Sequence, residues 1–247
     1  MLAQEIPFRW RIGNQSLRGF QLPGAGAGGL FLHGFRSNCD GEKSLALAAH
    51  AAAQGRPWLR FNQRHCGRTN EHFAKFTVTQ AVNDTVAVLE FLRQPLVLVG
   101  SSLGAVIALH AARRRPEFIH GLLLIAPAVR FVERHFATLP AKTMARWREQ
   151  GTLSFPDHYE GGVFHLDYAF YEDALNYLQP EVWKFDCAAA ILHGEEDELL
   201  PLEDSVSLRQ AIAAPSVSLE IVPGGDHRLK GAFPIMCKTL DQLWEST

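Results

Sequence analysis

Residues 96–105 read Leu-Val-Leu-Val-Gly-Ser-Ser-Leu-Gly-Ala, four aliphatic side chains followed by mostly small ones. A continuous aliphatic run of this kind is typical of a strand that is covered on both faces, as in a parallel sheet. The apolar pattern from Leu103 to Ala112 predicts a helix that begins directly after the strand. The stretch therefore predicts a strand that passes through a tight turn into a helix, with Ser102 in that turn.

The alternation of strand and helix extends along most of the chain. Further strands are predicted at 29–33, 57–63, 121–126, 188–192 and 217–222, and two more within 6–22, joined around Gly13 and Asn14. Helices are predicted at 42–54, 77–93, 203–213 and 233–244. This order is typical of βαβ units. We therefore expect a single α/β domain over residues 1–247, with eight strands in a mostly parallel sheet flanked by helices.

The alternation breaks after Pro127, and residues 129–184 are predicted to form a helical cap inserted into this domain. The segment holds 11 of the 25 aromatic residues, including all four tyrosines. Helical spacing of Phe164, Tyr168 and Tyr171 fits packing within the insertion. Apolar ligand sites are also rich in aromatic rings, so Tyr168 and Tyr171 are candidate substrate contacts.

Composition excludes several classes of protein. The chain has 47% hydrophobic residues and a net charge of −2, which favours a folded domain over disorder. A near-neutral protein does not concentrate phosphate backbones, so we predict no nucleic-acid partner. The basic run Arg113 to Arg115 ends a helical pattern, where cations complement the helix dipole.

The sequence also predicts a cytoplasmic protein. No apolar stretch approaches the ~18 residues of a membrane span. The first ten residues carry an early acid and resemble neither a secretory signal nor a transit peptide. The four cysteines are scattered without a CxxC pair, which fits a reducing compartment. The pattern does not specify an oligomeric state.

The segment Gly100-Ser-Ser-Leu-Gly104 matches the pattern GxSxG at the predicted strand-to-helix turn. In a nucleophile elbow the serine sits on a strained turn, and its small neighbours avoid collisions with the strand and helix. The alternative interpretation is that Ser102 is an ordinary N-cap of the helix. The strand before it and the helix after it favour a nucleophile.

A nucleophilic serine needs a base and a group that orients the base. Asp197 follows the strand 188–192, and His227 follows the strand 217–222. Since the carboxyl ends of parallel strands meet at one edge of the sheet, Ser102, Asp197 and His227 are predicted to converge. Asp197 is preferred over the neighbouring acids by the spacing G-x-x-D-x-x-x-P, and the alternative for His227 is a turn histidine.

The segment Phe31-Leu-His-Gly-Phe35 supplies a candidate oxyanion hole. A strand that ends in His-Gly can turn so that the N–H of Phe35 joins that of Leu103 around an oxyanion. His33 itself is predicted to bond the backbone. Arg36 and Ser37 follow the turn and are candidate substrate contacts. The alternative for Arg36 is an ion pair with Asp40 or Glu42 that braces the loop.

With these residues in place, the chain resembles the α/β-hydrolase family over nearly its whole length. The family order of nucleophile, acid and histidine is matched by Ser102, Asp197 and His227. The segment 61–69 is similar to the family's D-x-R-G-x-G-x-S loop, with Asn62, His65 and Thr69 in place of its Asp, first Gly and Ser. The segments 33–43 and 99–104 resemble the corresponding segments of one branch of this family, the small depalmitoylating thioesterases and acyl-glucuronide esterases.

No cofactor or metal is predicted. The segment 24–29 spells GxGxxG, but it precedes a strand, so a phosphate there would meet no helix N-terminus. The eleven histidines show no HExxH or comparable metal-ligand spacing.

These features predict a serine hydrolase that cleaves carboxylic esters or thioesters of apolar acyl groups through an acyl-enzyme. Two alternatives stay open: a carbon–carbon bond hydrolase or perhydrolase of the same fold, and a non-catalytic receptor that keeps the hydrolase pocket. The acyl-chain length and the leaving group are not specified by the sequence.

Overall fold

The computed structural model describes residues 4–12, 15–66, 73–157, 162–178 and 182–246. The strands are β1 Ile6–Ile12, β2 Gln15–Leu22, β3 Gly28–Leu32, β4 Trp58–Asn62, β5 Leu96–Ser101, β6 Ile119–Ile125, β7 Thr152–Pro156, β8 Val163–Asp167, β9 Trp183–Lys184, β10 Ala188–Gly194, β11 Ile212–Ala213 and β12 Val217–Val222.

The helices are α1 Glu42–Ala53, α2 Val78–Leu92, α3 Leu103–Arg114, α4 Phe131–His135, α5 Ala141–Gln150, α6 Tyr168–Ala174, α7 Leu202–Ala211 and α8 Phe233–Glu245. Single 3₁₀ turns lie at Phe73–Lys75, Pro116–Phe118 and Leu175–Tyr177. None of the helices in the described ranges has the length and apolarity needed to cross a bilayer.

Eight of these strands form one sheet in the order β1-β2-β4-β3-β5-β6-β10-β12. Strand β2 runs antiparallel to β1 and β4. The other six neighbours in this order, β4, β3, β5, β6, β10 and β12, are mutually parallel. The predicted eight-stranded, mostly parallel sheet is therefore confirmed. The predicted turn at Gly13 and Asn14 lies outside the described residues, as do Gly67 to Thr69 of the loop after β4.

Strand β5 lies at the centre of this sheet and is buried along its whole length. On one face, Leu96 and Leu98 pack in a core with α2 and α3. On the other face, Val97 and Val99 pack in a core with α1 and α8. Alternate side chains of a strand point to opposite faces, which explains why the aliphatic run predicts the fold so well.

The segment 129–184, which we call the insertion, contains more than helices. Helices α4 and α5 are followed by an antiparallel hairpin of β7 and β8, and then by α6 and the short strand β9. Strand β9 pairs with β11 of the main domain. The predicted helical cap therefore contains helices but also a hairpin, so the prediction of a helical cap is wrong for the residues of β7 and β8.

Candidate active site

Ser102 lies on the turn between β5 and α3 with a φ of 56° and a ψ of −119°. A positive φ is strained for a residue with a side chain, and such strain is often found at functional sites. The N–H of Ser102 donates to the Ile125 carbonyl at 2.8 Å, which holds the turn to the neighbouring strand. The backbone therefore presents Ser102 at the carboxyl edge of the sheet.

The glycines of the GxSxG segment are sterically required. A Cβ at Gly100 would lie 2.4 Å from the Gly104 carbonyl oxygen, and a Cβ at Gly104 would lie 2.1 Å from the Leu32 carbonyl oxygen. Both distances are far below van der Waals contact. Strand β3, α3 and the turn can approach each other only because these two positions lack side chains.

Asp197 and His227 lie in the loops that follow β10 and β12. The Nδ1 atom of His227 lies 2.8 Å from Oδ2 of Asp197, and the Asp197 side chain is 1% exposed. The other carboxylate oxygen, Oδ1, accepts hydrogen bonds from the N–H groups of Leu199 and Leu200 at 2.9 Å. The carboxylate is therefore fixed in place and aimed at the imidazole.

The electrostatics of Asp197 favour its ionised form. Burial alone raises its pKa, but the hydrogen bond and charge of His227 and the N–H groups of Leu200 and Leu199 outweigh burial and hold the pKa below the usual value. The neighbouring acids Glu196 and Glu198 are exposed. Asp197, the acid that the sequence spacing favours, is thus the one acid of this cluster that contacts a histidine ring in the described structure.

The loops of Asp197 and His227 are also packed directly against each other. A Cβ at Gly194 would lie 2.2 Å from the Gly225 carbonyl oxygen, and the N–H of Glu196 donates to that same oxygen at 2.9 Å. On the far side, Lys43 Nζ donates to the Arg228 carbonyl at 2.9 Å, and burial lowers the pKa of this lysine to about 8. The position of His227 is therefore set from both sides.

The turn after β3 lies beside the serine. A Cβ at Gly34 would lie 3.1 Å from Cβ and 3.7 Å from Oγ of Ser102. This proximity places the next residue, Phe35, close to the elbow, where Leu103 begins α3. Both predicted oxyanion donors therefore belong to segments that meet at Ser102.

His33 has the structural role predicted for it. Its ring is 1% exposed, Nδ1 lies 2.9 Å from the Gly34 carbonyl, and Nε2 accepts the N–H of Gln63 at 3.2 Å. These bonds fit a neutral ring with the proton on Nδ1. Burial lowers the pKa of His33 to about 4, so the ring stays uncharged at neutral pH.

Arg36 has a different ion-pair partner from those predicted. Its guanidinium pairs with Asp157 of the insertion. Asp40 instead binds Arg60, whose Nη1 lies 2.7 Å away. The expected brace with Asp40 or Glu42 is therefore wrong, because a residue distant in sequence reaches the turn. A contact of Arg36 or Ser37 with substrate stays a prediction.

Tyr168 and Tyr171 lie in the interior of the insertion. Their ring centroids are 5.4 and 5.9 Å from that of Trp147, which is fully buried. The Tyr168 hydroxyl accepts a hydrogen bond from Arg148 Nη2 at 2.8 Å. These contacts fit the packing interpretation of the two rings, and their contact with substrate stays a prediction.

A small apolar pocket, with room for about one water molecule, lies next to the elbow, between α2, α3 and the insertion. It is lined in part by Val78, Leu103, Val106, Val129, Phe131, Ala174 and Tyr177. Two aromatic residues of the insertion, Phe131 and Tyr177, contribute to it. The aromatic content of the insertion predicts that some of its rings line a pocket, but it does not indicate which, because pocket linings and cores are both rich in aromatic residues.

His193 is a residue of the site that the sequence does not single out. It is fully buried at the end of β10, with Nδ1 2.7 Å from Ser205 Oγ and Nε2 3.0 Å from the Leu200 carbonyl. Its Nε2 also lies 3.6 Å from Oδ2 of Asp197. His193 thus supports the loop that holds the acid.

Neither the GxGxxG segment nor the histidines form a cofactor or metal site in the described residues. The Gly-rich segment 24–29 enters β3 and does not open a helix. Within the ranges that the structure describes, no three His, Cys, Asp or Glu side chains are grouped to hold a metal ion.

Comparison with known proteins places this arrangement in a family. Residues 30–235 match the model of the "Alpha/beta hydrolase family". The chain belongs to the alpha/beta hydrolase family. Among curated relatives of this hydrolase, the mouse protein named "Palmitoyl-protein thioesterase ABHD10, mitochondrial" is 31% identical over 228 residues, which cover 90% of this chain and 77% of the mouse protein.

Solved structures agree with the family assignment. Alpha/beta hydrolase domain-containing protein 10 from mouse superposes on this hydrolase with a TM-score of 0.86 and 28% identity, covering 96% of this chain and 98% of the other. A putative hydrolase from Agrobacterium vitis gives a TM-score of 0.86 at 24% identity, covering 98% and 99% of the two chains. At that identity the second likeness shows the fold alone.

Proposed function

We propose that this protein is a serine hydrolase that cleaves thioesters or carboxylic esters of apolar acyl groups through Ser102, His227 and Asp197. The observation that carries the proposal is the 2.8 Å contact between His227 Nδ1 and Asp197 Oδ2, at the same sheet edge as the strained Ser102. A serine, a base and an orienting carboxylate are the groups that acyl transfer requires.

The first half of the reaction acylates the serine. Because the Asp197 carboxylate accepts a hydrogen bond from the Nδ1–H of His227, the opposite ring nitrogen is left free to accept the proton of the Ser102 hydroxyl. The serine oxygen attacks the carbonyl carbon, and the N–H groups of Phe35 and Leu103 stabilise the oxyanion that forms. His227 then protonates the leaving thiol or alcohol as the C–S or C–O bond breaks.

The second half releases the acid. Water attacks the acyl carbon while His227 removes its proton. The bond from that carbon to Ser102 Oγ then breaks, His227 returns the proton to Oγ, and the carboxylic acid leaves. The names of the curated relatives support a thioester substrate, and the apolar pocket beside Leu103 supports an apolar acyl group.

Chemical labelling tests the proposal. A fluorophosphonate is expected to label the wild-type protein at Ser102, as mapped by mass spectrometry of the peptide. Ser102→Ala is expected to abolish labelling, and Ser101→Ala, the neighbouring serine, serves as the matched control that keeps it. An unlabelled wild-type protein would favour a non-catalytic receptor, and labelling that persists in Ser102→Ala would place the nucleophile elsewhere.

Acyl-chain selectivity tests the pocket. Ala174 is 1% exposed and lines the pocket, so Ala174→Leu is expected to fill part of it. We expect kcat/KM for a decanoyl ester or thioester to fall roughly 10-fold or more relative to the acetyl substrate, since lost pocket contacts of this size cost ~1–3 kcal/mol. Rates across a chain-length series of nitrophenyl esters and acyl thioesters give the comparison.

The control for this prediction is Ala141→Leu, the same substitution at an exposed position of α5. Its chain-length profile is expected to match that of the wild type. An equal loss on acetyl and decanoyl substrates in Ala174→Leu would show that overpacking had only destabilised the fold, and the pocket would then not select the acyl group.

The cytoplasmic location stays a prediction of the sequence. The relatives' names give mitochondria as the alternative compartment. Fractionation of cells that express the natural protein distinguishes the two.

A further inference from the structure

Arg36 occupies an unusual backbone position in the turn that carries the proposed oxyanion donor Phe35. The N–H of Ser37 donates to the Gly34 carbonyl at 3.2 Å, which closes a four-residue turn. The third residue of the turn, Arg36, has a φ of 55°, a conformation that normally favours glycine or asparagine. Something beyond the turn's own hydrogen bond must therefore hold an arginine there.

The insertion supplies contacts that hold it. The Arg36 guanidinium carbon lies 4.6 Å from the ring centroid of Phe164 in the insertion, and 5.8 Å from that of Phe73 in the main domain. Its ion-pair partner Asp157 follows β7, and the N–H of Asp157 donates to the Gly162 carbonyl at 3.0 Å. The two charged side chains are only 10% and 3% exposed. Arg36 is thus bound to the hairpin of the insertion.

Phe35 is bound to the insertion as well. Its ring centroid lies 5.1 Å from Phe131, 5.4 Å from Phe170 and 5.8 Å from Phe164. Phe73 of the main domain also packs against the Phe35 ring, at 4.9 Å. Successive side chains of the turn therefore both contact the insertion, Phe35 through aromatic packing and Arg36 through its ion pair with Asp157. The hairpin reaches the turn through Asp157 and Phe164, so the position of the turn depends in part on the insertion.

A purely stabilising role explains this pair poorly. Burying two charges is costly, and well-packed apolar residues often stabilise a fold equally well. A planar guanidinium between a carboxylate and an aromatic face instead fixes the orientation of the arginine side chain, because the geometry of both contacts depends on that orientation. The pair is therefore suited to holding a strained backbone in one geometry.

We infer that Arg36 and Asp157 are positioning residues that hold the N–H of Phe35 in the oxyanion hole and so couple the insertion to catalysis. The inference rests on the proposed function. It assigns the insertion a part in the chemical step besides binding the acyl group. It also predicts that Arg36 acts equally on all substrates, whatever their charge.

Kinetics of Arg36→Ala, Arg36→Lys and Asp157→Asn test the inference. Loss of one oxyanion donor costs about 10²–10³ in kcat, so a displaced donor is expected to cost roughly 10- to 100-fold in kcat with little change in KM. Affinity for a boronic acid, which forms a tetrahedral adduct with the serine, is expected to fall by a similar factor. Methylguanidinium is expected to restore part of the activity of Arg36→Ala, and the double variant to lose no more than Arg36→Ala.

The matched control is another ion pair between the insertion and the main domain. Arg134 Nη2 and Nε each lie 2.6 Å from a carboxylate oxygen of Asp204, whose side chain is 3% exposed. Arg134→Ala and Asp204→Asn are expected to lower the Tm but to leave kcat and boronic acid affinity of the folded protein near wild type.

Three results would overturn the inference. A loss confined to anionic substrates in Arg36→Ala would show that Arg36 binds a substrate carboxylate. Boronic acid affinity that stays at the wild-type value would show that the oxyanion hole does not depend on the pair. Equal losses in the Arg134 and Asp204 controls would show a general effect on stability. In each case the wild type is still labelled by the fluorophosphonate at Ser102, whereas failure of the proposed function removes that labelling or leaves it in Ser102→Ala.

Discussion

Ser102→Ala is expected to lower kcat for a thioester or ester substrate by as much as ~10⁶-fold, as loss of the nucleophile does in serine proteases. The remaining rate would come from binding and from the proposed oxyanion donors Phe35 and Leu103, which the substitution leaves in place. Steady-state kinetics on a nitrophenyl ester and an acyl thioester measure the loss. Ser101→Ala is expected to keep most of the activity.

His227→Ala is the second arm of this experiment, because the serine and its base act as a unit. Each single variant is expected to lose about as much as the double variant, since removing either group disables the same step. If the loss in the double variant equalled the product of the two single losses, Ser102 and His227 would not act in the same step. The Tm of Ser102→Ala is expected to stay close to wild type, because alanine keeps the Cβ and with it the strained φ of 56°.

The scaffold of this site was predictable because its signals are local. The aliphatic run of β5 and the small residues around Ser102 both follow from the need to cover a strand on two faces and to turn it sharply into α3. The carboxyl ends of parallel strands share an edge, so the segments of Asp197 and His227 could be placed beside Ser102 without any coordinates. Their hydrogen bond agrees with that placement.

The insertion was harder to predict because short aromatic segments satisfy more than one pattern. Phe164, Tyr168 and Tyr171 fit helical spacing, but Phe164 lies in β8 and the two tyrosines lie in α6. Side-chain spacing counted across the boundary of a strand and a helix mimics one continuous helix. Only the pairing of β8 with β7 distinguishes one continuous helix from a strand followed by a helix.

Long-range ion pairs were also beyond sequence reasoning. The nearest acids to Arg36 in the sequence were Asp40 and Glu42, yet Asp40 binds Arg60 on β4 and the guanidinium of Arg36 pairs with Asp157. Which acid meets which base depends on how the loop after β3 meets the insertion, and charge patterns alone do not contain that information.

Asp197→Asn is expected to lower kcat by about 10⁴-fold, the loss seen when the orienting carboxylate of a serine protease triad is replaced by an amide. The amide is nearly isosteric, but its NH₂ group would donate to Nδ1 of His227 where the carboxylate accepts. The imidazole would then carry its proton on Nε2 and could no longer accept the proton of Ser102. Fluorophosphonate labelling is expected to slow as well.

Glu198→Gln, an exposed neighbour in the same loop, is the matched control and is expected to retain wild-type kinetics. Stability gives an independent readout. Because the pKa of Asp197 is lowered in the folded protein, its carboxylate stabilises the fold above the unfolded-state pKa of ~4, and that contribution is lost as the pH falls through the folded-state pKa. The wild type is therefore expected to exceed Asp197→Asn in unfolding free energy at neutral pH, and this difference is expected to narrow as the pH falls below the unfolded-state pKa. A difference in unfolding free energy that does not change with pH would show that Asp197 is not the ionised acid. A larger loss of kcat in Glu198→Gln than in Asp197→Asn would assign the acid's role to Glu198.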